Sequence, residues 1–200
     1  MTDSFTHNSE ELRAWSYLIT KGITNAISDI VPTEGQGITI DSIKLGQVVA
    51  RDVPELLGGP ESLAIGIYSA LSGTVNGHLM IAHRPELPFT VMNIHPNTPN
   101  NLSEKDQCTL GEIENGMRNA FLGAIEDTLE IPLHPSSPIV LLDKAAALLN
   151  IAKTRFLNED DLTFVVETML TIHQQATRGL FVIMLDHNLM QLAQQLSAKV

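Results

Sequence analysis

The chain has 200 residues, 44% of them apolar, which suits one domain or two closely joined halves around a sizeable core. Lys plus Arg number 12 against 23 Asp plus Glu, and the formal charge of −11 disfavours nucleic-acid backbones and anionic membrane surfaces as partners. Cys108 is the only cysteine, Met1 to Glu11 lack a signal-like apolar run, and no stretch approaches the roughly 18 apolar residues of a membrane span, so a cytoplasmic protein without an internal disulfide is expected.

Taken in chain order, residues 10 to 31 form the first predicted helix. Leu12, Trp15, Ile19, Ile23, Ala26, Ile27 and Ile30 recur at three- and four-residue spacing, and Pro32 ends the pattern. Strand-like runs follow at 37 to 43 and 46 to 53. Two more, 63 to 71 and 74 to 82, flank Ser72-Gly73, which reads as a hairpin turn. A short helix is expected over 85 to 94 and a loop over 95 to 101. The second long helix spans 103 to 129, with Ser103 and Asp106 spaced like a capping box and Pro132, Pro135 and Pro138 beyond its end. A short strand at 139 to 142 leads to a helix capped by Asp143 and running to Leu149. Strands at 162 to 172 and 180 to 185 are joined near Ala176-Thr177-Arg178-Gly179, and Asp186 caps a terminal helix to Ala198. Each long helix precedes a strand hairpin, and both contain Gly-x-x-Asn-Ala, at Gly22 to Ala26 and Gly116 to Ala120. The expectation is one domain over 1–200 built from pseudo-repeats at about 10–101 and 103–198.

At about 100° per residue, the second long helix divides into two faces. Leu110, Ile113, Met117, Ala120, Phe121, Ala124 and Thr128 point one way; Cys108, Glu112, Asn115, Asn119 and Glu126 point roughly opposite. Glu112 and Asn115 are three apart and therefore neighbours on the surface. An arbitrary Glu-x-x-Asn pair is usually no more than a solvated face. Here Pro138 follows Asn115 after twenty-two residues.

That arrangement resembles the CheC/CheX-type chemotaxis phosphatases, whose signature is Asp or Ser, three residues, Glu, two residues, Asn, twenty-two residues, Pro. The stretch from Glu112 through Asn119 and Ala120, then Pro135-Ser-Ser-Pro138 and the Asp143-Lys-Ala-Ala segment, follows that family's helix and strand, and the looser likeness covers roughly residues 10 to 198. The resemblance implies an α+β, CheC-like fold: a central mixed or antiparallel sheet with two long helices on one face and a pseudo-twofold duplication. It implies hydrolysis of the aspartyl phosphate of a CheY-like response regulator. Asn115 would position the attacking water and Glu112 would pair with the regulator's lysine, while Cys108, Asn119 and Pro138 complete the binding surface. No cofactor of the chain's own is implied, since the divalent metal sits on the regulator.

Two departures stand out. The Asp or Ser position is Cys108, and a thiol is a weak hydrogen-bond partner. The first helix offers Tyr17 and Thr20, or Leu18 and Lys21, where a second Glu and Asn pair would stand, so one site per chain is expected. The alternative is a non-catalytic interaction module, as in flagellar switch proteins such as FliM, binding a response regulator or a CheD-like partner. Other chemistry finds little support. His78 and His83 are five apart and would face opposite sides of a strand, Asp186 beside His187 reads as a helix cap, and Met184 and Met190 read as core. No phosphate-binding loop, dinucleotide fingerprint or HExxH motif occurs.

Overall fold

The computed structural model describes residues 10–30, 38–86, 89, 103–172 and 175–191. Its elements in chain order are α1 (Glu10–Ile30), β1 (Ile38–Val49), α2 (Val53–Leu56), β2 (Leu63–Gly73), β3 (Gly77–His83), α3 (Glu104–Leu129), β4 (Leu133–Pro135), β5 (Ile139–Lys144), α4 (Ala145–Arg155), β6 (Leu162–Ile172) and β7 (Gln175–Leu185). The strands form one seven-stranded sheet in the order β1-β6-β7-β3-β2-β4, with β5 also on β2. Every described pairing is antiparallel. The protein is therefore α+β with an antiparallel sheet.

The sheet has the same plan read from either edge. Hairpins β2–β3 and β6–β7 meet at its centre through β3 and β7, and each edge strand crosses to the hairpin of the other half. β1 pairs β6, with Leu45 opposite Val166, and β5 pairs β2, with Val140 opposite Ile67. The edge beside β2 is one interrupted strand. β4 covers Leu71 to Gly73, β5 covers Leu63 to Tyr68, and Ser136, Ser137 and Pro138 form the break between them. Proline has no N–H to give a ladder, and an edge break is where a strand tolerates it.

Helices α1 and α3 pack together on one face, over Ile67, Leu71, Leu79, Ile81, Phe164, Val166 and Ile183. Trp15 lies against Phe164 with ring centroids 5.3 Å apart. Helices α2 and α4 cover the middle of the opposite face, where Val53, Leu57, Leu148 and Ala152 meet Ala64, Tyr68, Met80, Val165 and Val182. This second layer explains why β2 reads as a continuous apolar run from Leu63 to Leu71: both of its faces are covered.

Several expected boundaries move, each for a local reason. The two predicted runs at 37–43 and 46–53 are one strand up to Val49, then a 3-10 turn at 50–52 and α2 with Pro54 in its first turn. Ser72-Gly73 is not the hairpin turn. Gly73 pairs with Leu133, so β2 continues through it and the turn falls at 74–76. Residues 176–179 likewise belong to β7, where Thr177 pairs with Leu170 and Arg178 with Met169. Asp143 pairs with Ala64 inside β5, so the next helix starts one residue late, at a Lys144 cap without a side-chain bond. The backbone carbonyls of Ser62 and Pro60 accept its first N–H groups, from Ala145 and Ala146. The predicted helix at 85–94 and loop at 95–101 lie almost wholly outside the described residues, as does the last part of the terminal helix. Its start is described: Asp186 Oδ1 accepts from the backbone N–H of Leu189 at 3.0 Å. Among the described residues, no helix is long and apolar enough to cross a membrane.

Candidate functional site

Helix α3 begins as its sequence implies. The Ser103 hydroxyl accepts from the backbone N–H of Asp106 at 3.2 Å and donates to the Asp106 carboxylate at 2.6 Å. Glu130, in the left-handed conformation at φ 55°, ends it. The buried stripe contains Leu110, Met117, Phe121, Leu122, Ala124, Ile125 and Leu129, together with two charged residues, Glu114 and Arg118. Ile113, expected on the apolar face, is only half-buried.

Glu114 is wholly excluded from solvent. Its Oε1 lies 2.9 Å from Nε2 of His83, also buried, on β3. His83 Nδ1 is 2.8 Å from the carbonyl oxygen of Arg84, which can only accept, so Nδ1 carries a proton. A second proton lies between Nε2 and Oε1, and the pair is neutral as a unit wherever that proton rests. Burial opposes a charged imidazole, but the Glu114 carboxylate, by charge and hydrogen bond, outweighs it, with help from the Arg84 carbonyl and the Glu86 charge. The net effect raises the His83 pKa.

Arg118 is 5% exposed. Its Nη1 donates to Ser69 Oγ at 2.9 Å and to the Ser136 carbonyl at 2.7 Å, joining the helix to β2 and to the break in the edge strand. Its Nη2 donates to Asn115 Oδ1 at 2.7 Å and Asn119 Oδ1 at 2.8 Å. A guanidinium has no acceptor atom, so both carboxamides must turn oxygen inward and NH2 outward. Burial lowers the pKa of Arg118 from its ordinary high value, and the group stays charged. The segment it grips is also tied to β2, since the Ser136 N–H donates to Ala70 O at 2.8 Å.

Of the residues singled out in the sequence, Asn115 and Asn119 contact this guanidinium, and the segment leading to Pro138 is held by it through Ser136. Asn115 is half-buried, not exposed, because it leans on Arg118; Asn119 is exposed. Pro138 is half-buried at the end of the break that Arg118 holds through Ser136. Glu112 and Cys108 are exposed on the same helix, and among the described residues neither has a hydrogen-bond or ion-pair partner. Glu126, expected on the polar face, is half-buried and accepts from the Leu133 N–H at 2.6 Å, which fixes the chain leaving the helix. Sequence reasoning missed Glu114, Arg118 and His83. The available signal was Glu114 and Arg118, four apart and in phase with Leu110, Met117 and Phe121.

Among the described residues, the first helix carries no comparable arrangement. Leu18 is buried, Tyr17 is exposed, and Lys21 forms an ion pair with Asp127 at 3.6 Å. His78 lies on the other face of the sheet from His83, with Nδ1 2.8 Å from Tyr68 Oη. Among the described residues no three His, Cys, Asp or Glu side chains cluster as metal ligands would.

No family model matches the sequence, and no curated protein matches it. Solved structures do match in fold. FliY of Thermotoga maritima aligns over 97% of this chain and 98% of its own at 14% identity, with a TM-score of 0.64. The FliM middle domain of H. pylori aligns over 97% and 100% at 13% identity, TM-score 0.61. The FliM middle domain of Vibrio alginolyticus aligns over 92% and 99% at 8% identity, TM-score 0.60. The chain therefore has the fold these proteins share, over essentially its whole length.

Proposed function

We propose that the chain is a phosphatase acting on the aspartyl phosphate of a CheY-like response regulator. The observation that carries this reading is the Asn115 carboxamide. It is anchored by its oxygen to Arg118 and offers its NH2 outward, one helical turn from the exposed Glu112 and on the helix tied to the Pro138 segment.

Phosphoryl transfer through a loose transition state asks a protein mainly for positioning and charge stabilisation. The regulator contributes the phospho-aspartate, a lysine and its divalent ion. This chain contributes a placed water. Asn115 Nδ2–H donates to the water oxygen and holds it in line with the phosphorus. The water oxygen bonds to phosphorus, the bond from phosphorus to the aspartyl oxygen breaks, and the water proton passes to a phosphate oxygen. The products are the free aspartate carboxylate and inorganic phosphate. Glu112 pairs with the regulator's lysine and sets the helix in the regulator's active site. Cys108, in place of an Asp or Ser, adds no charge to that contact.

The test is the decay of phosphorylated CheY-like regulators with and without the protein. Acceleration of one of them supports the reading; unchanged decay of a regulator that binds the protein removes it. That second outcome favours an interaction module, a reading with support of its own. The fold is that of FliM middle domains, and one H. pylori FliM of this fold, at 12% identity and TM-score 0.59, was solved in complex with FliG.

A further inference from the structure

We propose that Asn115 and Asn119 form a two-amide oxyanion site, oriented by Arg118 beneath them, that takes the phosphoryl oxygens of an acyl phosphate. The inference rests on the phosphatase reading for the identity of the group and deepens it by assigning the phosphoryl oxygens to the Asn119 amide and a positioning role to Arg118.

Three observations carry it. The first is orientation. Arg118 Nη2 bridges the oxygens of two carboxamides four residues apart, at 2.7 and 2.8 Å, so two NH2 groups face outward from adjacent turns of one helix. Outward NH2 groups donate and cannot accept, so the surface they make is suited to an anion or a carbonyl oxygen.

The second is charge. Arg118 is buried, and all four of its described bonds go to neutral acceptors: Ser69 Oγ, the Ser136 carbonyl, Asn115 and Asn119. Among the described residues its Nε is buried without a partner. Among the described residues no carboxylate lies within ion-pair distance of it. The nearby carboxylate on its own helix, Glu114, belongs to the neutral unit it forms with His83. A buried cation without a counterion is costly, and an anion arriving over the two amides offsets that cost.

The third is polarisation. An amide whose oxygen accepts from a cation becomes a stronger donor at nitrogen, because hydrogen bonds in series reinforce one another. The buried charge thus reaches the surface through Asn115 and Asn119. This suits a site that must accept a phosphoryl group while the molecule as a whole carries −11.

The test compares binding of a CheY-like regulator loaded with beryllofluoride and magnesium, a phosphoryl mimic, with binding of the same regulator unloaded. Wild-type protein is expected to prefer the loaded form. Asn119→Ala, at an exposed position, should reduce that preference by about ten- to a hundredfold while leaving affinity for the unloaded form in place, since hydrogen bonds to a charged group are worth that much. Arg118→Lys keeps the charge but not the planar fork, and should reduce the preference even where Asn119→Ser partly retains it. An unchanged preference in Asn119→Ala overturns the inference while leaving the phosphatase reading intact, since that reading is decided separately by dephosphorylation. Equal loss of affinity for loaded and unloaded regulator also overturns it, because it shows a structural role only. If no regulator binds in either form, the partner reading fails, and inorganic phosphate followed by the side-chain amide NMR signals decides: joint movement of the Asn115 and Asn119 signals supports the site, and no movement overturns it.

Discussion

His83 on β3 and Glu114 on α3 share a proton across 2.9 Å inside the layer between sheet and helix, with both side chains almost entirely out of water. The contact sits one turn before Arg118 on the same helix. It fixes the rotation of α3 against the central strand, and that rotation presents Asn115 and Glu112 outward. Neither partner touches the proposed substrate. Their part is to set the register of the helix that does.

Removing one partner should therefore be far worse than altering both. His83→Ala leaves the Glu114 carboxylate buried with no donor, and is expected to cost about 3–5 kcal/mol. Glu114→Gln keeps the shape and loses the charge, so it should cost less. Urea unfolding with matched slopes gives both values. A His83→Ala protein as stable as wild type would mean that the pair does not hold the helix.

The same pair gives stability a pH dependence of known sign. His83 has its folded pKa raised above the ordinary 6.5. Its contribution is complete below the unfolded pKa and is lost as pH rises through the folded one, where the pair gives up its proton and leaves a buried negative charge near Glu86. Melting temperature should fall on the alkaline side in the wild type, and that component should be missing in His83→Gln. A wild-type profile identical to that of His83→Gln would contradict the assignment.

How far the sequence reaches can be judged residue by residue. The long helices and β6 were legible because Trp15, Ile19 and Ile23, or Phe164 and Val166, follow simple periods into one core. The Ser103 cap was legible because it depends on residues three apart. Register was not: Gly73 stays in a strand because Leu133 pairs with it, sixty positions along the chain, and Asp143 stays in a strand because of Ala64. At the site, the exposed Glu112 was legible from helical phase and spacing. Arg118 was hidden because a charged residue is ordinarily assigned to solvent, and its partners Ser69 and Ser136 are supplied by β2 and by the break between β4 and β5.

The proposed division of labour between Asn115 and Glu112 separates in kinetics. Asn115 holds the attacking water, so Asn115→Ala should lower the maximal rate of dephosphorylation by about 10²-fold and spare much of the affinity. Glu112 makes a charge contact with the regulator, so Glu112→Ala should weaken binding, and wild-type binding should weaken as salt is raised. Single-turnover decay across protein concentrations reads rate and affinity apart. Wild-type kinetics in both variants would leave the interaction module as the better account.

Helix α1 is expected to be silent in that assay. Lys21, half-buried, meets the exposed Asp127 at 3.6 Å in an ion pair at the surface between the two long helices, an interaction worth at most about 1 kcal/mol. Lys21→Ala should keep both its fold and its dephosphorylation rate. A folded Lys21→Ala protein without activity would place a second working site on α1.

The two glycines of the Gly-x-x-Asn-Ala motifs should respond in opposite directions. A Cβ on Gly22 would sit 2.9 Å from the Phe121 Cα and 3.2 Å from its ring, so Gly22 marks the crossing of α1 and α3. A backbone atom cannot rotate out of the way. Gly22→Ala must push the helices apart, at an expected cost of about 1–3 kcal/mol. Gly116 has nothing within 4 Å of its Cβ position, because it is turned away from the helix crossing. There alanine only relieves the entropic cost of glycine inside a helix and should stabilise by about 0.5–1 kcal/mol. The two motifs match in sequence but not in packing, and chemical denaturation of the single variants measures the difference. Loss of stability in both would mean that Gly116 also lies at a close contact, and the orientation of α3 described above would be wrong.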